Sequence, residues 1–332
     1  MQDQRKAIAV LTSGGDASGM NMAIRAVTRS ALALGWAVYG VSEGYAGLIA
    51  PPEDGKIRRL TARDVGGILG LGGTVLGSAR CKDFHDASVR ARGIANLAAL
   101  GVDALVVIGG NGSQAGAHAL HEQGLSVIGL ASTIDNDLEG TDITLGADTA
   151  ANVAVDAVDK LRVTSSSHRR ASIVEVMGRS CGYLALTVGL ATGAEAIVLP
   201  ETDLGPDEVA QRIASAYDRG KHHAIVIVAE GARYDAAALA TILERDHRER
   251  VRFDMRVTVL GHIQRGGTPT VFDRLLGARF GAHAIECLER GDNGVLVGLR
   301  GNELVTTPLA DVIGKQKPLA LELVELAQTL AQ

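Results

Sequence analysis

The chain has 332 residues, 46% of them hydrophobic, a formal net charge of -5 at pH 7 and a sequence pI near 6.0. That is enough apolar chain for about two domains, and the mildly acidic balance gives no reason to expect nucleic acid or a membrane surface as partner, although local arginine clusters can still bind small anions. Three widely spaced cysteines, Cys81, Cys181 and Cys287, suggest neither a disulfide framework nor a CxxC metal site, the N-terminal MQDQRKAIAVL lacks a signal-peptide pattern, and no stretch is long enough to span a bilayer, so a cytoplasmic location is expected.

In chain order, residues 7–11 read as a buried parallel strand, followed by TSGGDASG and a helix over 20–34 with Ile24, Val27, Ala31 and Leu34 on one face. Gly14, Gly15 and Gly19 let backbone amides approach an anion near that helix N-terminus. Arg25 and Arg29, four apart, are either an anion-binding pair or a solvated face, and the residues alone favour the solvated face. Residues 36–41 form a second strand leading to GYAGL, and 66–80 is a glycine-rich connection ending in Arg80, whose guanidinium suits a phosphate clamp.

Residues 104–108 and 126–130 are short apolar strands joined through a helical segment, a βαβ unit that puts GGNGS and STIDND on the same sheet edge. Asn111, Ser113, Thr133, Asp135 and Asp137 then stand together, more polar groups than turn capping explains. A helix over 148–161 is expected to give way to a hinge or boundary at 164–167. Strands over 171–176, 196–199, 224–228 and 256–260, with a helix over 206–217, continue the alternation and predict a second parallel α/β lobe. Their ends carry MGRSCG, Glu230 and GHIQRGG. Helices near 272–288 and 319–330 close the chain, and the stripe Leu319, Leu323, Leu326 and Leu330 is expected to pack in a core, with oligomer contact the lesser alternative.

Glycine turns, carboxylates and arginines at strand ends suit phosphoryl transfer, which needs positioning and charge neutralisation more than covalent help. Asp135 is the natural base for an attacking hydroxyl, with Asp137 holding it or a metal. Mg²⁺ uses one or two carboxylates plus phosphate oxygens, and Asn111 offers only a neutral carbonyl.

The motifs GGDASGMN, GGTVLGSAR, IGGNGS, TIDND, TSSSHRR, EVMGRSCG and GHIQRGG cover nearly the whole chain, and through them it resembles the bacterial ATP-dependent 6-phosphofructokinases. The resemblance implies two Rossmann-like three-layer α/β/α lobes with largely parallel sheets and an active site in the cleft, an ATP-binding lobe of 1–146 plus 264–314 and a sugar-phosphate lobe of 147–263 plus 315–332. It implies transfer of the ATP γ-phosphoryl to the C1 hydroxyl of fructose 6-phosphate, with Mg²⁺, in a glycolytic homotetramer whose active sites lie at a subunit interface. Carried over by motif, Gly15, Arg80, Cys81, Gly110, Asn111, Gly112 and Ser113 contact ATP, Asn111 and Asp137 face the metal, and Asp135 is the base, assisted by Thr133, Asp137 and Arg179. Fructose 6-phosphate is held by Thr133, Asp135, Met177, Gly178, Arg179, Glu230, His262 and Arg265, with Arg170 and Arg256 reaching in from a neighbouring subunit. Arg25, Arg29, Arg162, Glu195, Arg219 and Lys221 match positions that bind an ADP or phosphoenolpyruvate effector.

Three departures bear on function. The family has aspartate where this chain has Asn111, which is expected to weaken metal binding; an engineered substitution, a natural site relying on Asp137 and water, and reduced activity are the open accounts, with retained activity favoured. Pyrophosphate users have aspartate at the position of Gly112 and lysine at that of Ser132, and this chain has neither; Ser132 replaces the glycine usual in ATP users, and ATP is the expected donor. Ala62 and Gly67 stand where an arginine and an aspartate are usual, so an altered effector pocket is expected. The alternatives are a pyrophosphate-dependent enzyme, a non-catalytic regulatory subunit, and an NAD or lipid kinase of the GGDG type, which lacks TIDND together with MGR and HIQRGG.

Overall fold

Strands that are apolar almost throughout belong in sheets covered on both faces. The computed structural model describes residues 6–331 and buries every residue of the segments AIAVLT, ALVVIG and AIVIVA. Residues 1–5, the start of the stretch without a signal-peptide pattern, lie outside the described residues, as does Gln332.

The strands are β1 (Ala7–Thr12), β2 (Ala37–Val41), β3 (Ile57–Arg59), β4 (Ala104–Gly109), β5 (Ser126–Ala131), β6 (Arg170–Val176), β7 (Ala196–Val198), β8 (Ala224–Ala229), β9 (Asp254–Val259), β10 (Val295–Arg300) and β11 (Glu303–Pro308). The helices are α1 (Met20–Ala33), α2 (Gly44–Ile49), α3 (Ala87–Ala99), α4 (Asn111–Glu122), α5 (Ala147–His168), α6 (Tyr183–Thr192), α7 (Pro206–Asp218), α8 (Ala236–Asp246), α9 (Arg248–Val251), α10 (Val271–Arg290), α11 (Leu309–Val312) and α12 (Leu321–Leu330). The fold is α/β, and the chain divides into two compact units. One comprises the chain up to Asp148 with Arg265–Lys317; the other comprises Thr149–Gln264 with the segment from Pro318.

The first unit holds a seven-stranded sheet in the order β11-β10-β5-β4-β1-β2-β3. Its interior pairs are parallel, with Val10 opposite Val106 and Val106 opposite Ile128, while β3 and β11 pair antiparallel at the edges. The second unit holds a four-stranded parallel sheet in the order β7-β8-β6-β9. Ile173, Val198 and Val226 from its strands pack with Ile213 of α7 and Leu239 and Leu243 of α8.

In each sheet the order reverses beside the strand that comes first in the chain. The chain moves from β1 to β2 on one side and later sets β4 on the other; it moves from β6 toward β8 and β7, then sets β9 on the opposite side. Such reversals open a crevice beyond the carboxyl ends of the strands, where ligands bind in open α/β sheets.

Two expectations are corrected. No hinge interrupts residues 164–167, because α5 runs on to His168. The serines there are accommodated within the helix: Ser167 Oγ donates to the Val163 carbonyl 3.1 Å away, and Ser165 Oγ lies 2.6 Å from Ser172 Oγ of β6. The leucine stripe does not form a core. Leu323, Leu326 and Leu330 are 38%, 45% and 62% exposed, whereas Val324 and Ala327 face a cavity that Leu186 of α6 also lines. Among the described residues no helix is long and apolar enough to cross a membrane.

Candidate active site

At the carboxyl end of β1 the turn after Thr12 is tied to β4 by Ser13 N–H, which donates to the Ile108 carbonyl 3.0 Å away. Beyond β4, Gly110 caps α4 without a side-chain bond, and Asn111 is the first helical residue. Ser113 and Gln114 amides turn inward to the Gly110 carbonyl, leaving the Asn111 and Gly112 end of the helix as the place where open amides and the helix dipole favour an anion. Gln114, fully buried, donates from Nε2 to the carbonyls of Gly109 and Leu130 at 2.9 and 3.1 Å and so ties the ends of β4 and β5 together.

Tyr45 of α2 supports this helix terminus from beneath. Its hydroxyl donates to the Ser113 carbonyl at 2.5 Å and its ring stacks on Phe84, with centroids 4.1 Å apart. Burial pushes its phenol far above the usual range, so it remains a neutral donor. Sequence reasoning passed over Tyr45; an aromatic just after the second apolar strand was the available signal. Arg80 is exposed and Cys81, half-buried, caps a short 3₁₀ turn.

The TIDND turn follows β5. Thr133 and Asp135 are 9% and 5% exposed, and the Asp135 amide donates to Thr133 Oγ1 at 3.2 Å. Asn136 takes a left-handed conformation at φ 50, which asparagine tolerates better than most residues. Its Oδ1 accepts from Thr144 N and Lys317 Nζ at 2.9 and 2.8 Å, and Lys317 N donates to the Asp137 carbonyl at 3.0 Å. The turn carrying the candidate base is therefore held by a residue that sequence reasoning did not single out, although an asparagine between two aspartates could have flagged it. Ser132 is buried and donates to the Leu145 carbonyl.

Among the described residues no group of three or more His, Cys, Asp and Glu side chains could hold a metal. The donors here are oxygens only: the Asp135 and Asp137 carboxylates and the Asn111 amide. That set suits a hard cation that arrives with a polyphosphate and keeps its waters, not a resident transition metal.

In the second unit β6, β8 and β9 end side by side. The loop after β6 is held by side-chain acceptors: Gln264 Oε1 accepts from Met177 N at 3.2 Å, and Glu230 Oε1 accepts from Gly178 N and Arg179 N at 3.2 and 2.8 Å. Glu201 Oε1 accepts from Gly182 N at 2.7 Å, at the start of α6. Arg179 adopts φ 51, and its carbonyl lies so close to Gly231 that no Cβ fits there, which lets the end of β8 meet the loop. Glu230 thus orients the MGR loop as well as facing solvent; Gln264 and Glu201 were not foreseen. His262 is exposed on the short 3₁₀ helix Gly261–Arg265. Arg170 and Arg256 share Asp254 on β9, at 3.4 and 2.7 Å.

Arg265 belongs to the first unit and is 8% exposed. Its Nη1 donates to the Asp16 carbonyl at 2.8 Å, against the first glycine turn. Arg25 and Arg29 do not form a merely solvated face: Arg25 donates to the carbonyls of Val65 and Gly66 at 2.8 and 3.3 Å, and Arg29 to that of Ala62 at 3.3 Å. The other candidate effector residues lie in the second unit. Arg162, Glu195 and Lys221 line one cavity with His222 and His223, and Arg219 lines a second with Glu195. Glu195, 3% exposed, pairs with Lys221 at 2.8 Å and accepts from Ile225 N at 2.6 Å. Burial pushes the His223 imidazole below its ordinary value, opposed by the Glu195 charge and aided by Arg162 and Lys221.

A family profile described as Phosphofructokinase matches residues 7–288. The chain is 48% identical over 326 residues to the ATP-dependent 6-phosphofructokinase of Halalkalibacterium halodurans, covering 98% of this chain and 99% of that one. It is 51% identical over 304 residues to the protein of the same name from Streptococcus suis, covering 92% and 88%. Among solved structures, Pichia pastoris phosphofructokinase in the T-state superposes with a TM-score of 0.87 at 37% identity, over 93% of this chain but 35% of that longer one.

Proposed function

The chain belongs to the phosphofructokinase family, and from that premise we infer that it phosphorylates fructose 6-phosphate with ATP, moving the γ-phosphoryl to the C1 hydroxyl to give fructose 1,6-bisphosphate and ADP in glycolysis. The observation that carries the reading is 48% and 51% identity, over 98% and 92% of this chain, to relatives named for ATP-dependent activity. A pyrophosphate donor and a non-catalytic subunit are not favoured.

Asp135 takes the proton of the attacking hydroxyl, and its burial in a clasped turn supports that role because a base must be held at hydrogen-bond distance. Thr133 and Asp137 assist, and Arg179 neutralises the charge of the moving phosphoryl. Gly15, Arg80, Cys81, Gly110, Asn111, Gly112 and Ser113 receive the nucleotide, supported by the open N-terminus of α4. Met177, Gly178, Arg179, Glu230, His262 and Arg265 receive the sugar phosphate.

Arg170 and Arg256 serve the site of a second subunit in a homotetramer. What supports this is their position on the β6–β9 pair beside edge residues Val257 and Val259, which are 39% and 58% exposed. Asp137 with the Asn111 oxygen would hold Mg²⁺, which neutralises phosphate charge when bound with ATP. Arg25, Arg29, Arg162, Glu195, Arg219 and Lys221 serve an ADP or phosphoenolpyruvate effector, altered by Ala62 and Gly67. The protein works in the cytoplasm.

A coupled assay with fructose 6-phosphate, offering ATP and then pyrophosphate at varied Mg²⁺, tests the reading. Turnover with ATP is expected; faster turnover with pyrophosphate overturns the donor, and none with either overturns the activity.

A further inference from the structure

Between Arg59, the last residue of β3, and Lys82, which opens a short 3₁₀ turn, the chain forms neither helix nor strand, and the segment ends on the exposed Arg80. Its fixed course requires partners for its backbone groups from elsewhere, since it supplies no ladder of its own. Some are local turns, and Val38 and Glu43 bind its two ends through Leu60 N and the Leu76 carbonyl; between those ends the side-chain partners come chiefly from one face of α1, where residues four apart lie above one another. Arg29 and Arg25 hold the carbonyls of Ala62, Val65 and Gly66. Nearer the arginine, Asn21 takes over.

Asn21 is fully buried. Its Nδ2 donates to the carbonyls of Leu71 and Gly72 at 3.0 and 3.3 Å, and its Oδ1 accepts from Val75 N at 2.7 Å. One amide group therefore closes both strokes of the segment's reversal, and the partners on either side determine which end is oxygen and which nitrogen. Apolar burial does little here, because Leu71 and Val75 are 51% and 45% exposed; Leu76 alone of the three is buried, at 3%. Beyond Asn21's grip, Thr12 Oγ1 donates to the Gly77 carbonyl at 2.9 Å and Ser78 Oγ to that of Gly14 at 2.6 Å, so the segment runs directly from Asn21 along the glycine turn to Arg80.

We propose that Asn21 is a positioning residue for the phosphoryl donor: it sets the course of the segment that presents Arg80 and so acts on ATP without touching it. The proposal rests on the reading of Arg80 as a nucleotide contact. A purely structural asparagine would change stability and leave the balance between the two substrates alone. A positioning one raises KM for ATP selectively and loses its effect once Arg80 is gone.

The test is a double-variant cycle on the full-length enzyme with Asn21→Asp, Arg80→Ala and both together, reading KM for ATP and for fructose 6-phosphate separately. Asn21→Asp keeps the shape and the acceptor for Val75 N but removes the donor to two carbonyls. We expect it to raise KM for ATP by about tenfold, the scale of one lost hydrogen-bonding group, with KM for fructose 6-phosphate within about twofold of the parent. The double variant should be no worse than Arg80→Ala alone. Hydrogen exchange at residues 71–77 should speed up in Asn21→Asp, independently of activity. If Arg80→Ala leaves KM for ATP unchanged, the nucleotide reading of Arg80 fails and the proposal with it. If Arg80→Ala raises that KM but the Asn21 effect is absent, additive or equal for both substrates, the proposal alone is overturned. Should Asn21→Asp not fold, Asn21→Ser, which removes the amide without adding charge, is read in the same way.

Discussion

The guanidinium of Arg265 occupies the space that any side chain at position 15 would need: a Cβ on Gly15 would lie 2.5 Å from its Nη1. Gly15→Ala must therefore displace Arg265, disturbing a residue assigned to the sugar phosphate through a turn assigned to the nucleotide. We expect kcat/KM to fall about 10- to 100-fold, since a hydrogen bond to a charged group is worth about 1.5–3 kcal/mol. Steady-state kinetics with each substrate varied should show both KM values rising; a change confined to ATP would show that Arg265 does not serve the sugar phosphate.

Asn111 places a neutral amide at the first position of α4. On the proposed assignment of this position to Mg²⁺, Asn111→Asp sets a full negative charge beside the cation, and even at an effective dielectric of about 20 the attraction between opposite ions in contact is worth several kcal/mol before desolvation. The Mg²⁺ concentration for half-maximal turnover should drop by about tenfold. An unchanged Mg²⁺ titration would mean that this position does not bear on the metal.

Glu230 uses one oxygen for two amides of the MGR loop. Glu230→Gln keeps an acceptor for those amides, whereas Glu230→Ala leaves them without one. The alanine variant should raise KM for fructose 6-phosphate at least about tenfold more than the glutamine variant, the scale of one charge-assisted bond. Equal effects would mean that the loop stands without its carboxylate support.

Burial holds His223 neutral below its ordinary value of 6.5. The unfolded chain therefore binds this proton at higher pH than the folded one, and the histidine's contribution to stability is complete above about 6.5 and lost as pH falls. An anion in the adjoining cavity favours the charged imidazole, so phosphoenolpyruvate should bind more tightly as pH is lowered from about 8 to about 6. His223→Gln should flatten that slope in a binding titration. A parent enzyme with a flat profile would dissociate His223 from the effector.

Burial pushes the Cys287 thiol up, and Cys181 is 4% exposed, while Cys81 is half-buried beside Arg80. A thiol reagent should label Cys81 first, and ATP should slow that labelling. Peptide mapping checks the order; ATP-independent labelling would remove Cys81 from the nucleotide site.

The strands and their polar ends were legible because a parallel strand buried on both faces must be apolar throughout and must stop where polar turn residues begin. The segments 104–108 and 126–130 follow that logic, and the order of β5, β4 and β1 sets their ends beside each other. The course of α5 through its serines was not legible, since serine reads as a helix breaker until its hydroxyl finds a carbonyl one turn back. The outward face of α12 was hidden for a different reason: a leucine period states that a stripe exists, not which side of the helix its neighbours take. Asn21, Asn136 and Gln264 escaped notice because a clasp joins residues far apart in the chain, and one sequence carries no trace of that pairing.

The Lys317 clasp on Asn136 and Asp137 also has a temporal meaning. The turn bearing the candidate base is synthesised before residue 140, yet its support, and strands β10 and β11 of the same sheet, arrive only with residues 295–317. A nascent chain released earlier lacks one side of that sheet and the lysine that braces the turn. Pairings so distant in sequence close slowly, so the first unit should become resistant to protease after the second unit's sheet has formed, with catalysis appearing last of all.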